Sequence, residues 1–327
     1  MKTSDKPVVA VDVGGTKFIA AVVDSKGKML SRVYCPTCAE QGPRKVIKRL
    51  SATINQAVKE SGAGLKSIGG IALAIAGIID INRGLITAAP NLPDWSNIRL
   101  DDLLHDEFKM PAYLLNDASA AALGEHRFGA GQGVDNLLFL TVSTGIGGGI
   151  IINGELYNGT DGAAGEMGHM IVLADGPECH CGQHGCLEAL ASGTAIARLA
   201  RERLEEGENS LLEKMVEGDL ATITAEHVTK AAKKQDIVAL SVIWEAAYYL
   251  GIGMANLVNL FNPQVIVIGG GVSAMGEMLL RPARKSMQEH AFKLPANTVR
   301  VVKSKLNPDS GILGAAAYAQ QKLGGRK

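Results

Sequence analysis

Apolar residues at the start of the chain come in short runs separated by turn-forming residues. The β-branched run Val8 to Val13 is too short for a helix of ordinary length and predicts a buried strand. The glycine turn Gly14 to Lys17 follows, and Phe18 to Val23 predicts a second strand. Asp24 to Gly27 is another turn, so Lys28 to Val33 can return as a third strand.

The same pattern occurs again in the middle of the chain. Leu137 to Val142 is apolar apart from a threonine, and the small-residue turn Ser143 to Gly148 follows it. Gly149 to Ile152 predicts the next strand, Asn153-Gly154 is a strong hairpin turn, and Glu155 to Tyr157 continues. This diverged repeat predicts two related α/β domains, each with a glycine turn.

Helical periodicity accounts for much of the remaining chain. Apolar residues between Ile47 and Val58 share one helical face, and Gly62 marks the end of that helix. Residues 236–261 are apolar on nearly every face, which predicts a buried helix that takes part in a subunit contact. Val265 to Ile268 predicts a buried strand, and Ile312 to Leu323 predicts the last helix.

Length and charge narrow the function classes. A chain of 327 residues suggests two domains at about 150 residues each. Lys plus Arg equals Asp plus Glu at 33 each, which excludes the basic footprint of a nucleic-acid binder. Ile68 to Ile79, taken as the longest mostly apolar stretch, is shorter than the roughly 20 residues that span a bilayer. We therefore expect a cytoplasmic protein with no membrane or nucleic-acid partner.

Glycine is the compositional outlier, with 39 residues where average usage gives about 23. Glycine turns follow Val13, Val142 and Ile268, and glycine lets backbone N–H groups approach phosphate oxygens closely. None of the turns has the P-loop spacing, and none is a good dinucleotide fingerprint. Each turn alone could be a tight hairpin, but three in one chain favour phosphate binding.

Two aspartates follow predicted strands. Asp12 ends the first strand, where it could face bound phosphates and hold Mg²⁺ through water, or simply be a solvated strand-end carboxylate. Asp117 follows Asn116 and an apolar stretch and precedes a strong helix-forming segment. It could be the N-cap of that helix or a general base at a strand–helix junction.

The cysteines favour a metal site over disulfides. Five is an odd number, and Cys179, Cys181 and Cys186 lie close together. With one imidazole they would form a closed tetrahedral Zn²⁺ site, while the alternative is a set of reduced buried thiols. His169, His180 and His184 remain candidates for the fourth ligand, although His180 between two cysteines would tend to point away. Cys35 and Cys38 are interpreted as ordinary thiols.

These motifs resemble the ROK family of sugar kinases. Asp12 to Lys17 resembles the family's first phosphate motif. Residues 165–169, followed after nine residues by the Cys-His-Cys-Gly-Gln-His-Gly-Cys-Leu-Glu run 179–188, resemble its zinc signature at the same spacing. The resemblance covers essentially the whole chain. It implies the actin-like ATPase fold, with two RNase H-like α/β domains around a cleft that closes on the substrates.

The resemblance also implies roles for individual residues. The nucleotide side comprises the first turn, the second turn and the adenosine-side turn: Asp12, Gly14, Gly15, Thr16, Lys17; Ser143, Thr144, Gly145, Gly147; and Gly269, Gly270, Gly271. The sugar side comprises Gly77, Asn91 in the stretch 88–95, Asn116, Asp117, Glu166, His169 and Glu188. Asp117 is the implied general base, and the implied zinc ligands are His169, Cys179, Cys181 and Cys186.

The implied reaction is phosphorylation of a hexose by ATP with Mg²⁺, most directly glucose at the 6-hydroxyl, with a structural Zn²⁺. We expect a small domain over residues 1–117, with a terminal helix at about 310–327 packed on it, and a large domain over 118–309. We further expect a homodimer or a dimer of dimers. ATP and polyphosphate both remain open as the phosphoryl donor.

Three alternatives accompany this interpretation. One is a kinase for N-acetylmannosamine, N-acetylglucosamine or another hexose, and Ala76, where many such kinases have proline, leaves the sugar open. Another is a ROK-type transcriptional regulator, which we disfavour because the residues before Asp12 are too few for a helix-turn-helix. The last is a filament-forming actin relative, which would have no use for the sugar-side residues and the cysteines.

Overall fold

The short apolar runs form two five-stranded sheets. The computed structural model describes residues 6–81, 83–89 and 91–325. Within them the strands are β1 (Val8–Val13), β2 (Lys17–Val23), β3 (Met29–Pro36), β4 (Ile71–Ile75), β5 (Ile78–Asp80), β6 (Leu85–Ala88), β7 (Ala112–Asn116), β8 (Leu137–Val142), β9 (Ile146–Ile152), β10 (Glu155–Leu156), β11 (Val265–Gly269) and β12 (Arg300–Lys303).

Helices follow the strands along the chain. The α-helices are α1 (Pro43–Glu60), α2 (Leu100–Phe108), α3 (Asp117–Phe128), α4 (Leu187–Ala191), α5 (Gly193–Glu205), α6 (Leu211–Met215), α7 (Ala225–Lys233), α8 (Ile237–Phe261), α9 (Glu277–His290), α10 (Lys293–Thr298) and α11 (Ser310–Leu323). Short 3₁₀ turns lie between them, including Met167–His169 and Gly271–Met275.

The two five-stranded sheets have the same strand order, and β5 pairs with β6 in a separate two-stranded sheet. The first runs β3-β2-β1-β4-β7, and the second runs β10-β9-β8-β11-β12. In the first sheet β4 pairs in parallel with both β1 and β7, and in the second sheet β11 pairs in parallel with both β8 and β12. The repeat of strand, glycine turn, strand, tight turn and strand is therefore confirmed. The second turn is shorter than predicted, because β9 begins at Ile146 and not at Gly149.

The contacts of the chain divide it into two units. One contains the described residues up to Asp135 together with Gly149–Gly165 and the segment from Ser304, and the other contains Asn136–Gly148 and Glu166–Lys303. Within the first of these units, α3 packs along α11. The predicted domain boundaries remain a prediction.

The longest helix, α8, is a core helix of the second unit. It is the one helix in the described part of the chain that is long and apolar enough to cross a membrane. The expectation that Ile68 to Ile79 is the longest apolar stretch was therefore wrong. Because α8 packs against α4, α5, α7 and α9, most of its apolar surface is covered by protein, as predicted for a buried helix.

A buried carboxylate in α3 holds the segment that leads into α11. Glu125 has no exposed surface, and its side chain accepts hydrogen bonds from the backbone of Ala130 at 2.8 Å and Leu306 at 2.9 Å. The hydroxyls of Ser304 and Ser310 also donate to it. A buried charge is tolerated when its lone pairs are satisfied in this way.

Replacing this carboxylate should therefore be costly. We expect Glu125→Ala to lower the free energy of unfolding by roughly 3–5 kcal/mol, because several buried donors lose their acceptor at once. Chemical denaturation would measure the change, with Glu60→Ala on the exposed face of α1 as the control. Equal stabilities of the two variants would contradict this account of the network.

Candidate active site

The parallel strands of the first sheet bring several of the predicted site residues to one edge. Asp12 in β1 pairs with Ala74 in β4, and Ile75 in β4 pairs with Asn116 in β7. The carboxyl ends of β1, β4 and β7 therefore lie together, which is the usual place for sites in parallel α/β sheets. Asp12, Gly77 just after β4, and the Asn116-Asp117 pair meet at this edge.

Asn116 caps α3 and leaves Asp117 available. Its side-chain oxygen accepts from the backbone N–H of Ala118 at 2.9 Å and of Ser119 at 3.1 Å, while its amide nitrogen donates to the carbonyl of Gly77 at 3.1 Å. The alternative in which Asp117 is the N-cap is therefore not what the structure contains. Asp117 is the first helical residue, and its carboxylate accepts from the N–H of Ala118 at 2.9 Å.

The two carboxylates at this edge are destabilised as anions. Burial raises the pKa of Asp117 above its ordinary value, against the opposing effect of the Ala118 hydrogen bond. Burial also raises the pKa of Asp12 to about 6, and the charge of Asp117 contributes to that rise, while Lys17 and Arg32 oppose it. Paired titratable groups with raised pKa values are typical of functional sites.

The first glycine turn contacts the stretch predicted to bind sugar. Gly14 donates its N–H to the carbonyl of Lys17 at 2.9 Å, which closes the turn. A Cβ on Gly15 would lie 2.7 Å from the carbonyl oxygen of Asn91. Thr16 and Lys17 are exposed. Only glycine at position 15 therefore allows the turn and Asn91 to approach this closely.

The stretch 88–95 is anchored by its tryptophan. Leu92 donates its N–H to the carbonyl of Ala89 at 2.9 Å, and Trp95 donates to Leu92 at 3.2 Å. Trp95 is buried in the core of the first unit, and its indole N–H has no hydrogen-bond partner among the described residues. Asn91 is exposed, and Pro90 lies outside the described residues.

The other two glycine turns lie in the second unit. Ser143 donates its N–H to the carbonyl of Gly145 at 2.8 Å, so the turn is tight, and Gly147 lies within β9. Gly269 ends β11, Gly270 has a φ of 80°, and Gly271 opens a 3₁₀ turn. β8 and β11 are adjacent parallel strands, so both turns follow strand ends at the same edge of the second sheet.

A cavity of about 820 Å³ opens beside these turns. Ser143, Thr144 and Gly271 line it together with residues that sequence reasoning missed: Gly193, Thr194, Ala197, Arg201, Ile223, Thr224, Ala225, Glu226, Thr229, Lys230, Lys233, Val272, Ala274 and Met275. Many of these belong to α5 and α7. The Ser-Gly-Thr sequence at the start of α5 was an available signal, because helix N-termini favour phosphate groups.

The structure brings His169, Cys179, Cys181 and Cys186 together. Their ligand atoms all lie within 4.8 Å of one another. His169 Nδ1 is 3.7 Å from Cys179 Sγ, and the sulfur atoms of Cys181 and Cys186 are 3.8 Å apart. His180 and His184 are not part of this group, and His184 Nδ1 lies 3.4 Å from the carbonyl of Gly176. Of the three histidines that spacing left open, His169 is the one whose ring nitrogen lies with the three sulfur atoms.

Two acidic side chains adjoin this cluster. His169 Nε2 is 3.9 Å from a carboxylate oxygen of Glu166. Glu188 Oε1 lies 3.8 Å from Cys179 Sγ, and its other oxygen accepts the backbone N–H of Ile146 at 2.8 Å. The residues of the second unit that were predicted to contact sugar, Glu166, His169 and Glu188, therefore all lie in or beside the cysteine cluster.

The raised pKa of Asp12 has a consequence for stability. A group whose pKa is higher in the folded protein than in the unfolded chain favours folding when protonated, so its anion destabilises the fold at neutral pH. We expect Asp12→Asn to stabilise the ligand-free protein by about 1–3 kcal/mol at pH 7.5. The gain should shrink as the pH falls from about 6 toward 4.

Denaturation at pH 7.5 and pH 4.5 would measure this difference. Asp106→Asn on an exposed position of α2 is the matched control and should leave stability nearly unchanged. An Asp12→Asn variant that is less stable than the parent at pH 7.5 would contradict the assignment of Asp12 as a strained anion.

Known proteins resemble this chain along almost its whole length. A glucokinase from Thermotoga maritima is 39% identical over 318 residues, which are 97% of this chain and 98% of that protein. The crystal structure of a ROK family glucokinase from Streptomyces griseus in complex with glucose and AMPPNP matches with a TM-score of 0.82 and 36% identity, covering 96% of this chain and 99% of that one. A xylose repressor from Caldicellulosiruptor bescii is 32% identical over 95% of this chain and 77% of its own length.

The fold predicted from the sequence is confirmed. The two sheets share one strand order, and the solved structures that match the chain include ROK sugar kinases with the actin-like ATPase fold. The ROK family model matches residues 8–322. The chain therefore belongs to the ROK family.

Proposed function

We propose that this chain transfers a phosphoryl group from ATP to the 6-hydroxyl of glucose, with Asp117 as the general base. The observation that carries this proposal is the state of Asp117, whose carboxylate is released from capping by Asn116 and destabilised as an anion by burial. A carboxylate with a raised pKa accepts a proton more readily at neutral pH than an ordinary one. The similarity to glucokinases supports the choice of reaction and sugar.

The proposed step moves one proton and one phosphoryl group. Asp117 accepts the proton of the sugar hydroxyl while the oxygen forms a bond to the γ-phosphorus of ATP. The bond from that phosphorus to the bridging oxygen breaks, and ADP leaves. The protein contributes chiefly by positioning the groups and by stabilising charge.

Backbone amides of the glycine turns would hold the phosphates. The turns concerned are residues 12–17, 143–147 and 269–271, and the cavity beside Ser143, Thr144 and Gly271 is large enough for a nucleoside. Asp12 would hold Mg²⁺ through water, and the metal, when bound, offsets the charge of the phosphates. The complex of the S. griseus relative with AMPPNP supports ATP as the donor.

In the first unit, the residues proposed to contact sugar hydroxyls are Gly77, Asn91, Asn116 and Asp117. In the second unit, taken by itself, they are Glu166, His169 and Glu188. Carboxylate and imidazole groups suit a polyol because a carboxylate can accept from two adjacent hydroxyls. Asn116 already uses its side-chain oxygen for the α3 cap, so we propose that it contributes to sugar binding mainly by holding Asp117 and the Gly77 carbonyl in place.

The cysteine cluster fits a structural Zn²⁺. Three thiolates and one imidazole form a closed site, and sulfur ligands about 2.3 Å from a tetrahedral ion lie about 3.8 Å from one another. The 3.8 Å between Cys181 and Cys186 agrees with this geometry. Burial raises the pKa of the Cys186 thiol to about 12, so it needs a cation beside it to ionise at neutral pH. We propose that zinc orients His169 and the start of α4, which carries Glu188.

The alternatives receive less support. The T. maritima glucokinase is matched at 39% identity over 98% of its length, against 32% identity over 77% of the C. bescii repressor. The balanced charge of the chain gives no support to nucleic-acid binding. Among sugar kinases, one that acts on an N-acetylhexosamine or another hexose is the second candidate. The reason is Ala76, which stands next to Gly77 in the loop proposed to face the sugar, where many such kinases have proline.

We also propose a cytoplasmic enzyme that forms a homodimer or a dimer of dimers. Support for self-association comes from exposed apolar side chains on α8, where Ile237, Trp244 and Leu260 each expose more than half of their surface. Ile237 and Trp244 lie seven residues apart and therefore share one face of α8, as the apolar residues of a protein contact do. The similarity to glucokinases supports the location.

A substrate panel tests the proposed reaction. With ATP and Mg²⁺, glucose should stimulate ADP release more than other hexoses and N-acetylhexosamines, and the same panel with polyphosphate identifies the donor. Asp117→Asn should lower kcat by roughly 10²–10⁴-fold while the fold is retained. Asp106→Asn serves as the control, and turnover that no sugar stimulates would refute the kinase proposal.

Metal analysis tests the cysteine site separately. We expect about one zinc ion per chain in freshly purified protein, and Cys181→Ser should lower that content and the melting temperature together. Cys35→Ser, at a free cysteine outside the cluster, should change neither. Protein that folds normally without any zinc would show that these residues are only reduced thiols.

A further inference from the structure

Glu188 contacts the second glycine turn directly. The residue lies in the short helix α4, two positions after Cys186, and its carboxylate accepts the N–H of Ile146 at 2.8 Å. Ile146 is the first residue of β9 and follows immediately after the turn Ser143 to Gly145. The hydrogen bond joins a charged acceptor to a backbone donor, which makes it stronger than a neutral one.

The same carboxylate lies against Gly145, the residue that precedes Ile146. A Cβ on Gly145 would lie 2.3 Å from the oxygen of Glu188 that accepts from Ile146. The carboxylate therefore occupies the space that any side chain at position 145 would need. A side chain at position 145 would therefore force this carboxylate to move away from Ile146.

The opposite side of the turn is held by α5. Gly193 donates its N–H to the carbonyl of Ser143 at 2.7 Å, and the hydroxyl of Thr194 donates to the carbonyl of Thr144. Glu188 thus holds the end of the turn while the start of α5 holds its beginning. Ser143 and Thr144 line the 820 Å³ cavity, whereas Glu188 does not.

We propose that Glu188 is a positioning residue for the nucleotide, acting through the second glycine turn, in addition to its proposed contact with sugar. The inference rests on the proposed function for the identity of the nucleotide. Because Glu188 does not line the cavity, it influences bound phosphates by fixing the backbone of residues 143–146. Its other oxygen, 3.8 Å from Cys179 Sγ, connects the cysteine cluster to the same turn.

Binding of ADP with Mg²⁺ in the absence of sugar separates this role from sugar binding. In calorimetry on the full chain, Glu188→Ala should raise the Kd for ADP about tenfold, which corresponds to about 1.4 kcal/mol. Glu188→Gln keeps a side-chain oxygen that can accept from Ile146 and should restore most of the affinity. Glu166→Ala is the matched control, because Glu166 is also a proposed sugar ligand but lies beside His169, and it should leave ADP binding unchanged.

Any loss of metal in Glu188→Ala would complicate the interpretation of its ADP binding. A second variant and a measurement without ligand therefore test the positioning role separately. Gly145→Ala should displace the carboxylate and weaken ADP binding to a similar degree. Amide hydrogen exchange of the peptide that contains residues 143–148 should be faster than in the parent protein for Glu188→Ala, and close to the parent for Glu166→Ala.

The outcomes distinguish this inference from the proposed function. If the parent protein binds ADP and Glu188→Ala binds it equally well with unchanged exchange, the positioning role is wrong and Glu188 serves the sugar alone. If the parent protein binds no ADP under any condition, the proposed function itself fails. Weakened ADP binding that the glutamine variant restores supports the positioning role.

Discussion

The hydrogen bonds of Asn116 are the interaction on which the chemistry proposed for the first unit depends. By capping α3 and holding the carbonyl of Gly77, this side chain joins the ends of two neighbouring parallel strands. An aspartate at the start of a helix would ordinarily cap it and lose its freedom to react. With the cap supplied by the preceding residue, Asp117 stays at the strand edge as a carboxylate with few internal partners.

The first unit contains acidic residues of two kinds: Glu125 is fully buried, whereas Asp12 and Asp117 are only partly buried. Glu125 is surrounded by backbone and hydroxyl donors and stabilises the segment that leads into α11. Burial raises the pKa of both Asp12 and Asp117, so their anions are costly to the fold. The fold would be more stable with these two carboxyl groups neutral. Groups that destabilise the fold in this way are typical of functional sites.

The sequence was sufficient for features that depend on local pattern. The strands of the repeat, the buried helix α8 and the places of the three glycine turns follow from periodicity and from turn residues close in the chain. The choice of His169 over His184 could not follow from spacing, because it depends on how the loop folds back through Gly176 and Gly185. The start of α5 carried a signal that was overlooked, whereas the cavity residues of α7 could not be found, since an ordinary amphipathic helix carries no mark of the space it faces.

The two tryptophans of the chain occupy opposite environments. Trp95 is 1% exposed beside the stretch that carries Asn91, whereas Trp244 on α8 is 63% exposed. Indole fluorescence shifts to shorter wavelength in apolar surroundings, so the two emissions differ in colour and in access to a soluble quencher. Once Trp244 is quenched, the remaining emission of Trp95 therefore reports on the stretch 88–95 without an added label.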